Sequence, residues 1–392
     1  MEILIIAAGI ILALMFNFVN GLNDAANSIA TAIATRALSP IQAIALAGIF
    51  NFLGPIVFST AIAKTIGKGI VDPSFLTIHV ILIGLIGAVI WVFSCSMFGI
   101  PVSSSHALVG GILGSGIAAG GITAILWPDI YTVKFILLAM AIGGVISAII
   151  LVAIKTKKNE DWRRTIVLGF LTGVALIVPI LMVTGVVEVK GIFAIVIFIL
   201  ISPTIGFIVA YFFALLIMRY LRNKNPVKLN TGFNRLQILS TAFQSLGHGA
   251  NDAQNAMGVI TAMLVAAGIL SEFVVPLWVI LASCAAISIG TLTGGWRVID
   301  KMAKRITKIR PYQGFSASVA SGGVLALMTS FGVPVSTTHA ITGSIMGVGS
   351  TRGYTAVKWG VVREIIAAWV LTIPASSFVS GCCYLVYSTM FM

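Results

Sequence analysis

The sequence predicts an all-α polytopic membrane protein: an inverted-topology repeat with interrupted helices, two re-entrant helical hairpins and about 10–12 membrane segments. Three observations predict it. Of 392 residues, 59% are hydrophobic and only 9% charged, where a soluble domain carries about 25% charged residues and needs them to coat its surface. The mean hydropathy of +1.09 agrees. Two different motifs each occur twice, in the same order, at similar offsets. This balance excludes a soluble enzyme and a disordered chain, because neither survives with so little polar surface.

The net charge of +13 would suit a nucleic-acid binder, but its placement argues otherwise. Sixteen of the 24 basic residues lie in 155–164, 219–235 and 296–310, each between long apolar runs. That is the pattern of cytoplasmic loops under the positive-inside rule. The four cysteines (Cys95, Cys284, Cys382, Cys383) sit in apolar stretches without metal spacing and read as small buried hydrophobes. The opening MEILIIAAGIILALMF has no basic n-region and reads as a first span rather than a signal peptide.

Apolar segments fall near 2–36, 41–63, 79–98, 102–118, 134–154, 165–186, 191–218, 236–268, 273–294, 314–331, 335–350 and 361–389. In lipid the backbone must satisfy itself, so these are helices. Residues 21–27 (GLNDAAN) recur as 249–255 (GANDAQN), and 99–106 (GIPVSSSH) recur as 332–339 (GVPVSTTH). Gly110 and Gly114 match Gly343 and Gly347. One duplicated unit explains this, with halves 1–154 and 236–392 and an inserted linker, 155–235, holding two further helices. If 2–36 crosses once with its N-terminus outside, all three basic loops fall on the cytoplasmic side. The halves are then mutually inverted, and both chain termini lie outside. Inverted repeats with broken helices are a transporter arrangement.

Asp24 and Asp252 are the acids set deep in apolar sequence at matched positions. Such a charge costs about 2.5–3.5 kcal/mol on insertion scales. No Lys or Arg occurs at a matched position in both halves, so a cation from solution is the expected partner. Asn23, Asn27, Asn251 and Asn255 add amide oxygens, and an all-oxygen set suits a hard ion such as sodium. Gly21 and Gly249 are expected to let the helix unwind and free carbonyls. The plainer alternative is that these residues cap helix ends, but caps need not repeat in sequence. The sodium ligands expected are therefore Asn23, Asp24, Asn251 and Asp252.

The second motif supplies the opposite sign. Pro101 before Ser103, Ser104 and Ser105, and Pro334 before Ser336, Thr337 and Thr338, are helix starts. A helix N-terminus carries free N–H groups and partial positive charge, and binds anions. Two such ends meeting near the midplane suit a tetrahedral oxyanion, with Asn27 and Asn255 beside it. Routine capping is the competing reading of each motif alone. His106 and His339 follow the hydroxyls. They read either as anion donors or proton relays, or more economically as first-turn histidines bonded to a neighbouring carbonyl. Gln254 has Ala26 as its counterpart, so any role it has breaks the symmetry. Arg36, Lys64 and Glu364 can snorkel and receive no role.

These residues resemble the inorganic phosphate transporters of the PiT type, whose signature is a doubled G-x-N-D-x-x-N element. It is matched at Gly21, Asn23, Asp24 and Asn27, and at Gly249, Asn251, Asp252 and Asn255. The paired P-V-S-[ST]-[ST]-H elements are similar too, and the likeness spans both halves. It implies a symporter, not an enzyme, importing phosphate with sodium or protons. It also implies a homodimer, a plasma (inner) membrane location and a compact prokaryotic form without the large loop of animal members. Relatives in that family carry sulfate. Phosphate keeps a proton at neutral pH where sulfate does not, so an acceptor facing the anion favours phosphate.

Two rivals fail on residues. An intramembrane aspartyl protease needs a Gly-x-Gly-Asp element, whereas both aspartates here follow Asn, and no H-E-x-x-H zinc helix occurs. A passive anion channel gains nothing from acids beside its path.

Overall fold

The computed structural model describes residues 2–58, 60–68, 70–154, 162–187 and 191–391. Most of the first basic segment, 155–164, lies outside the described residues. Among the described residues the chain forms α1 (Glu2–Ala34), α2 (Pro40–Val57), α3 (Ala61–Lys68), α4 (Ile78–Phe98), α5 (Ser104–Gly120), α6 (Ile130–Ile154) and α7 (Trp162–Val183). The series continues through α8 (Gly191–Leu221), α9 (Pro226–Ala266), α10 (Leu277–Thr293), α11 (Trp296–Asp300), α12 (Pro311–Ser330), α13 (Thr337–Ser350) and α14 (Trp359–Phe391). Beyond a lone bridge between Val71 and Ile125, these residues hold no strand pairing.

Seven of these helices are long and apolar enough to cross a membrane, or eight if α10 and the bent segment after it count as one span. The protein is a multi-pass membrane protein. The expected 10–12 segments included pieces that do not qualify alone. Helices α5 and α13 are short, and α9 carries a run of polar residues from Gln237 to Asn255 that is buried against other helices. These elements are shielded by the outer spans, so they need not be hydrophobic on every face.

Local chemistry sets the boundaries. Ser39 caps α2 in a capping box with Gln42, and Pro40 takes the first helical turn. Asn225 and Pro226 do the same for α9, which therefore starts inside the basic stretch 219–235 rather than after it. The basic stretch 296–310 is likewise no plain loop. A 66° bend follows α10, and the short helix beyond it buries Val298, Ile299, Met302 and Ala303. Of the cysteines, Cys95 and Cys284 are buried, but Cys382 is exposed on the outer face of α14.

Helices α1 and α9 carry the two copies of the first motif and lie antiparallel. Asn17 donates to the carbonyl of Ala253 at 3.1 Å, and Gln237 donates to Thr31 at 3.2 Å. Gly9 packs on Met263. Rising numbers on one helix meet falling numbers on the other, as inverted halves require. Helix α1 runs without a break from Glu2 to Ala34, a single continuous helix where an interrupted one was expected. The unwinding expected at Gly21 and Gly249 does not occur: both helices run continuously through the motif. The interruptions fall instead at the α10–α11 bend and at the hairpin tips. The glycines serve close approach. A Cβ on Gly21 would stand 2.1 Å from the carbonyl oxygen of Ile287, and one on Gly249 would stand 2.1 Å from that of Asn51.

The second motif makes two helical hairpins, α4–α5 and α12–α13. Gly99 and Gly332 each end the first arm at φ +67°, a conformation that favours glycine. The proline then keeps the chain extended, and Ser103 or Ser336 caps the second arm. Outer helices clasp both returning arms. Gly110 and Gly114 meet the backbone of α14 at Ile373 and Ser377, while Gly343 and Gly347 meet that of α8 at Pro203 and Phe207. The inserted helix α8 therefore stands to α13 as α14 stands to α5. The described basic segments gather at one end of the bundle. Phe233 meets Tyr312 edge to face, and the N–H of Lys358 bonds the carbonyl of Ile306.

Gly21→Ala and Gly249→Ala should each lower stability by more than the ~1–3 kcal/mol typical of overpacking, because backbone is what they would strike. Gly232→Ala, with open space at its Cβ on α9, should be neutral or gain up to ~1 kcal/mol. Thermal unfolding in detergent checks all three.

Candidate functional site

The hairpin tips and the midpoints of α1 and α9 meet in one buried polar centre. Ser103 and Ser336 are spent on capping: their hydroxyls accept from the N–H of His106 and His339, each at 3.3 Å. Intrahelical bonding begins with Ala107 to Ser103 and Ala340 to Ser336. The amides of residues 104–105 and 337–338 therefore sit at positive helix ends before that ladder. The next hydroxyls face the first motif. Ser104 donates to Asp24 at 3.0 Å, and Thr337 donates to Asp252 at 3.2 Å. These two contacts are counterparts within each half.

Contacts between halves are counterparts as well. Asn27 donates to Thr338 at 2.9 Å, and Asn255 donates to Ser105 at 2.9 Å. Asn27 also reaches Thr337 at 3.1 Å. The single hydroxyl proton of Thr338 lies within reach of two acceptors, Asp24 at 3.1 Å and the carbonyl of Val102 at 3.0 Å, and so links one tip to the other. Asn23 donates to Ser96 at 2.8 Å and Asn251 to Thr329 at 3.5 Å, matched residues of the first hairpin arms. The rings of His106 and His339 face each other with centroids 4.9 Å apart. All twelve residues expected to hold cation or anion thus lie in or beside one centre, and all are buried.

The two aspartates lie side by side. Asp24, His248 and Asp252 cluster, with one ligand atom of each within 4.8 Å of the others. Two full negative charges at about 4–5 Å repel by roughly 3–4 kcal/mol at an effective dielectric near 20. A proton or a cation must stand against them. Buried oxygens without a protein partner include Oδ1 of Asn23, Asn27, Asn251, Asn255 and Asp252. Buried acceptors are costly unless satisfied, and this set has the chemistry of a hard-cation shell.

His248 is the residue the sequence reading missed. Its Nε2 lies 3.4 Å from Oδ2 of Asp252, and its Nδ1 lies 3.1 Å from Oδ1 of Asn51, which donates to Thr291 at 2.9 Å. The signal was one residue before the repeated glycine: His248 there, Asn20 in the first copy. Asn20 instead accepts from Ser104 at 2.6 Å. Gln254 proves structural. Its Oε1 accepts from the N–H of Ala63 at 3.0 Å and so satisfies the start of α3. Glu364 pairs with Lys301 at 3.2 Å, away from the centre.

A centre joining paired carboxylates to two electropositive helix ends suits a class of protein: an anion transporter of the membrane. Comparison with known proteins identifies the family. The family model described as "Phosphate transporter family" matches residues 20–168 and 163–380. A "Probable low-affinity inorganic phosphate transporter" of Rhizobium meliloti (strain 1021) is 39% identical over 96% of this chain and 94% of its own length. One of the same description from Bacillus subtilis (strain 168) is 34% identical over 100% of both. A solved structure described as "The sodium-dependent phosphate transporter" superposes with a TM-score of 0.70 at 27% identity, covering 99% of this chain and 100% of that one. The chain belongs to the phosphate transporter family, the PiT type that its motifs resemble, and is a transporter rather than an enzyme.

Thr338→Val keeps shape but removes the hydroxyl that serves both Asp24 and the carbonyl of Val102. A buried acceptor left unpaired costs ~1–3 kcal/mol, more if charged. Thermal unfolding should show at least that loss, whereas Thr389→Val, at an exposed position near the end of α14, should show almost none.

Proposed function

We propose that the protein imports inorganic phosphate by symport with sodium. The observation that carries this reading is the convergence of two hydroxyl-bearing helix starts on a carboxylate pair ringed by unpartnered amide oxygens. Asp24, Asp252, Asn23 and Asn251 bind the cations. Ser104, Ser105, Thr337 and Thr338, with their backbone amides, cradle the phosphate, while Ser103 and Ser336 fix the helix starts and Asn27 and Asn255 orient the hydroxyls. The sodium dependence of the matching solved transporter supports the choice of ion.

Coupling follows from electrostatics. A buried charge is expensive alone, so each ligand raises affinity for the other, and by the same factor. A tenfold sodium gradient contributes about 1.4 kcal/mol per ion. Two sodium ions with one monovalent phosphate would carry net positive charge inward, gaining about 2.3 kcal/mol per 100 mV. The antiparallel run of α1 and α9 supports the reading of 1–154 and 236–392 as inverted repeats around 155–235, with two mirror-related paths to one centre. The plasma-membrane location, external termini and homodimer belong to this same reading. Blue native electrophoresis with cross-linking tests the dimer.

His248 against Asp252 favours a second reading, in which a proton replaces a sodium ion. Uptake into proteoliposomes decides between them. Sodium symport requires that an inward sodium gradient raise phosphate uptake at fixed pH. Equal uptake with and without the gradient, but dependence on a pH gradient, would leave protons as the driver. Asp24→Asn and Asp252→Asn should each abolish concentrative uptake while thermal stability stays near that of the parent. Phosphate uptake persisting in either variant would remove that carboxylate from the transport site.

A further inference from the structure

A crevice on the outer wall reaches inward towards this centre. It encloses about 390 Å³ between α8, α13 and α14, with walls that include Leu200, Pro203, Phe207, Met346, Trp369 and Val370. That volume is within the range of small-molecule sites. Val370 is 63% exposed and Leu200 65%, so the crevice opens on the outside of the bundle where acyl chains run. Its floor is Trp369, buried to 3%, whose indole N–H finds no partner. The same indole lies 3.9 Å, centroid to centroid, from the ring of His339, which directly follows Thr338 at the hairpin tip.

The mouth is charged. Trp359, Arg363, Ile366 and Val370 stand at i, i+4, i+7 and i+11 on α14 and form one stripe. Three of the four line the crevice, and Arg363 is the fourth. It is exposed and has no acidic partner among the described residues, whereas its neighbour Glu364 pairs with Lys301 on the adjacent face. Arg363 is one turn inside α14, whose start packs on the basic segment 296–310, and it follows Trp359 by one turn, the aromatic and basic pairing common at membrane interfaces. A guanidinium without an acidic partner beside an apolar crevice matches an anionic headgroup whose tail lies in that crevice.

We propose that this crevice is a binding site for one anionic phospholipid, with its phosphate on Arg363 and an acyl chain along Pro203, Phe207 and Val370 over Trp369. The lipid thereby packs behind the hairpin tip that bears Thr338, so the membrane's anionic lipid becomes a structural partner of the polar centre. The occupant is independent of which ion drives transport.

Native mass spectrometry of the detergent-purified full chain tests it, with phosphatidylglycerol or phosphatidylcholine added. Phosphatidylglycerol should stay bound at collision energies that strip phosphatidylcholine. Val370→Trp, which fills the crevice, should lose the retained lipid, while Ile149→Trp, on the exposed face of α6, should keep it. Arg363→Gln should weaken phosphatidylglycerol about fivefold, the share of one arginine at an anionic surface, and leave phosphatidylcholine unchanged. Phosphatidylcholine held as firmly as phosphatidylglycerol, or phosphatidylglycerol held as firmly by Val370→Trp or Arg363→Gln as by the parent, overturns the proposal. A dimer that falls apart on Val370→Trp would assign the crevice to a second copy and overturn it equally.

Discussion

Two carboxylates buried between antiparallel helices impose the constraint on which the rest of the structure depends. Water cannot solvate them there, and the helix ladder has already consumed the nearby backbone groups. Their hydrogen bonds must come from side chains on other elements. The hairpin tips supply these, and each tip is shared. Thr338 of the second half reaches Asp24 of the first, and Asn255 of the second half holds Ser105 of the first. Asn27 and Asn255 find their partners on the opposite half's hairpin tip, whereas Asp252 is served by Thr337 and His248 of its own half. The duplication is therefore more than a history of the chain, because the polar centre exists only where the copies interlock.

That interlocking is not fully symmetric, and the departures have a direction. Towards the end of the bundle that carries the described basic segments, Thr31, Gln237 and Ser318 form a buried hydrogen-bonded cluster, with Thr31 and Ser318 at 2.7 Å. The positions matched to these by the repeat offsets are Val259, Gly9 and Leu85, and there the packing is wholly apolar around Met263 and Phe16. One side of the centre is packed with hydroxyl and amide contacts, which exchange readily for water. The other is packed with dispersion contacts, which do not. The second copy has His248 where the first has Asn20, so a titratable ring contacts Asp252 directly and Asp24 only within the wider cluster, and the two halves of the centre differ in chemistry as well as in packing.

Much of this was legible in the residues because the repeats announce it. The doubled motifs named the aspartates, the asparagines and the hydroxyl triplets, and all of them converge. What was not legible is equally physical. Gly21 and Gly249 sat beside charged residues and so suggested unwinding. In fact each glycine faces a carbonyl of a crossing helix, a long-range contact that no local pattern shows. That Asp24 and Asp252 meet in one cluster was hidden too, because the side-by-side distance of α1 and α9 is a tertiary quantity. His248 was overlooked because it precedes the repeated string by one residue. Helix α8 was placed in the inserted linker because it lies between the two copies of the motifs. Its partnership with α13 appears only once Gly343 and Gly347 are seen against its backbone.

The hydroxyl triplets show why capping and binding need not compete as readings of a motif. A helix start needs one side-chain acceptor for its N3 amide, and the first residue of each triplet provides it. Once that residue is fixed by the preceding glycine and proline, the next two face inwards at a set height and rotation, before the helix ladder has claimed their amides. Structure consumes the first hydroxyl and thereby aims the other two. A sequence with only one hydroxyl after the proline could cap the arm but would strip Asp24 of Ser104 and Thr338, and leave Asp252 with His248 alone. The third hydroxyl of each triplet also takes the amide of the opposite half's asparagine, Asn255 on Ser105 and Asn27 on Thr338.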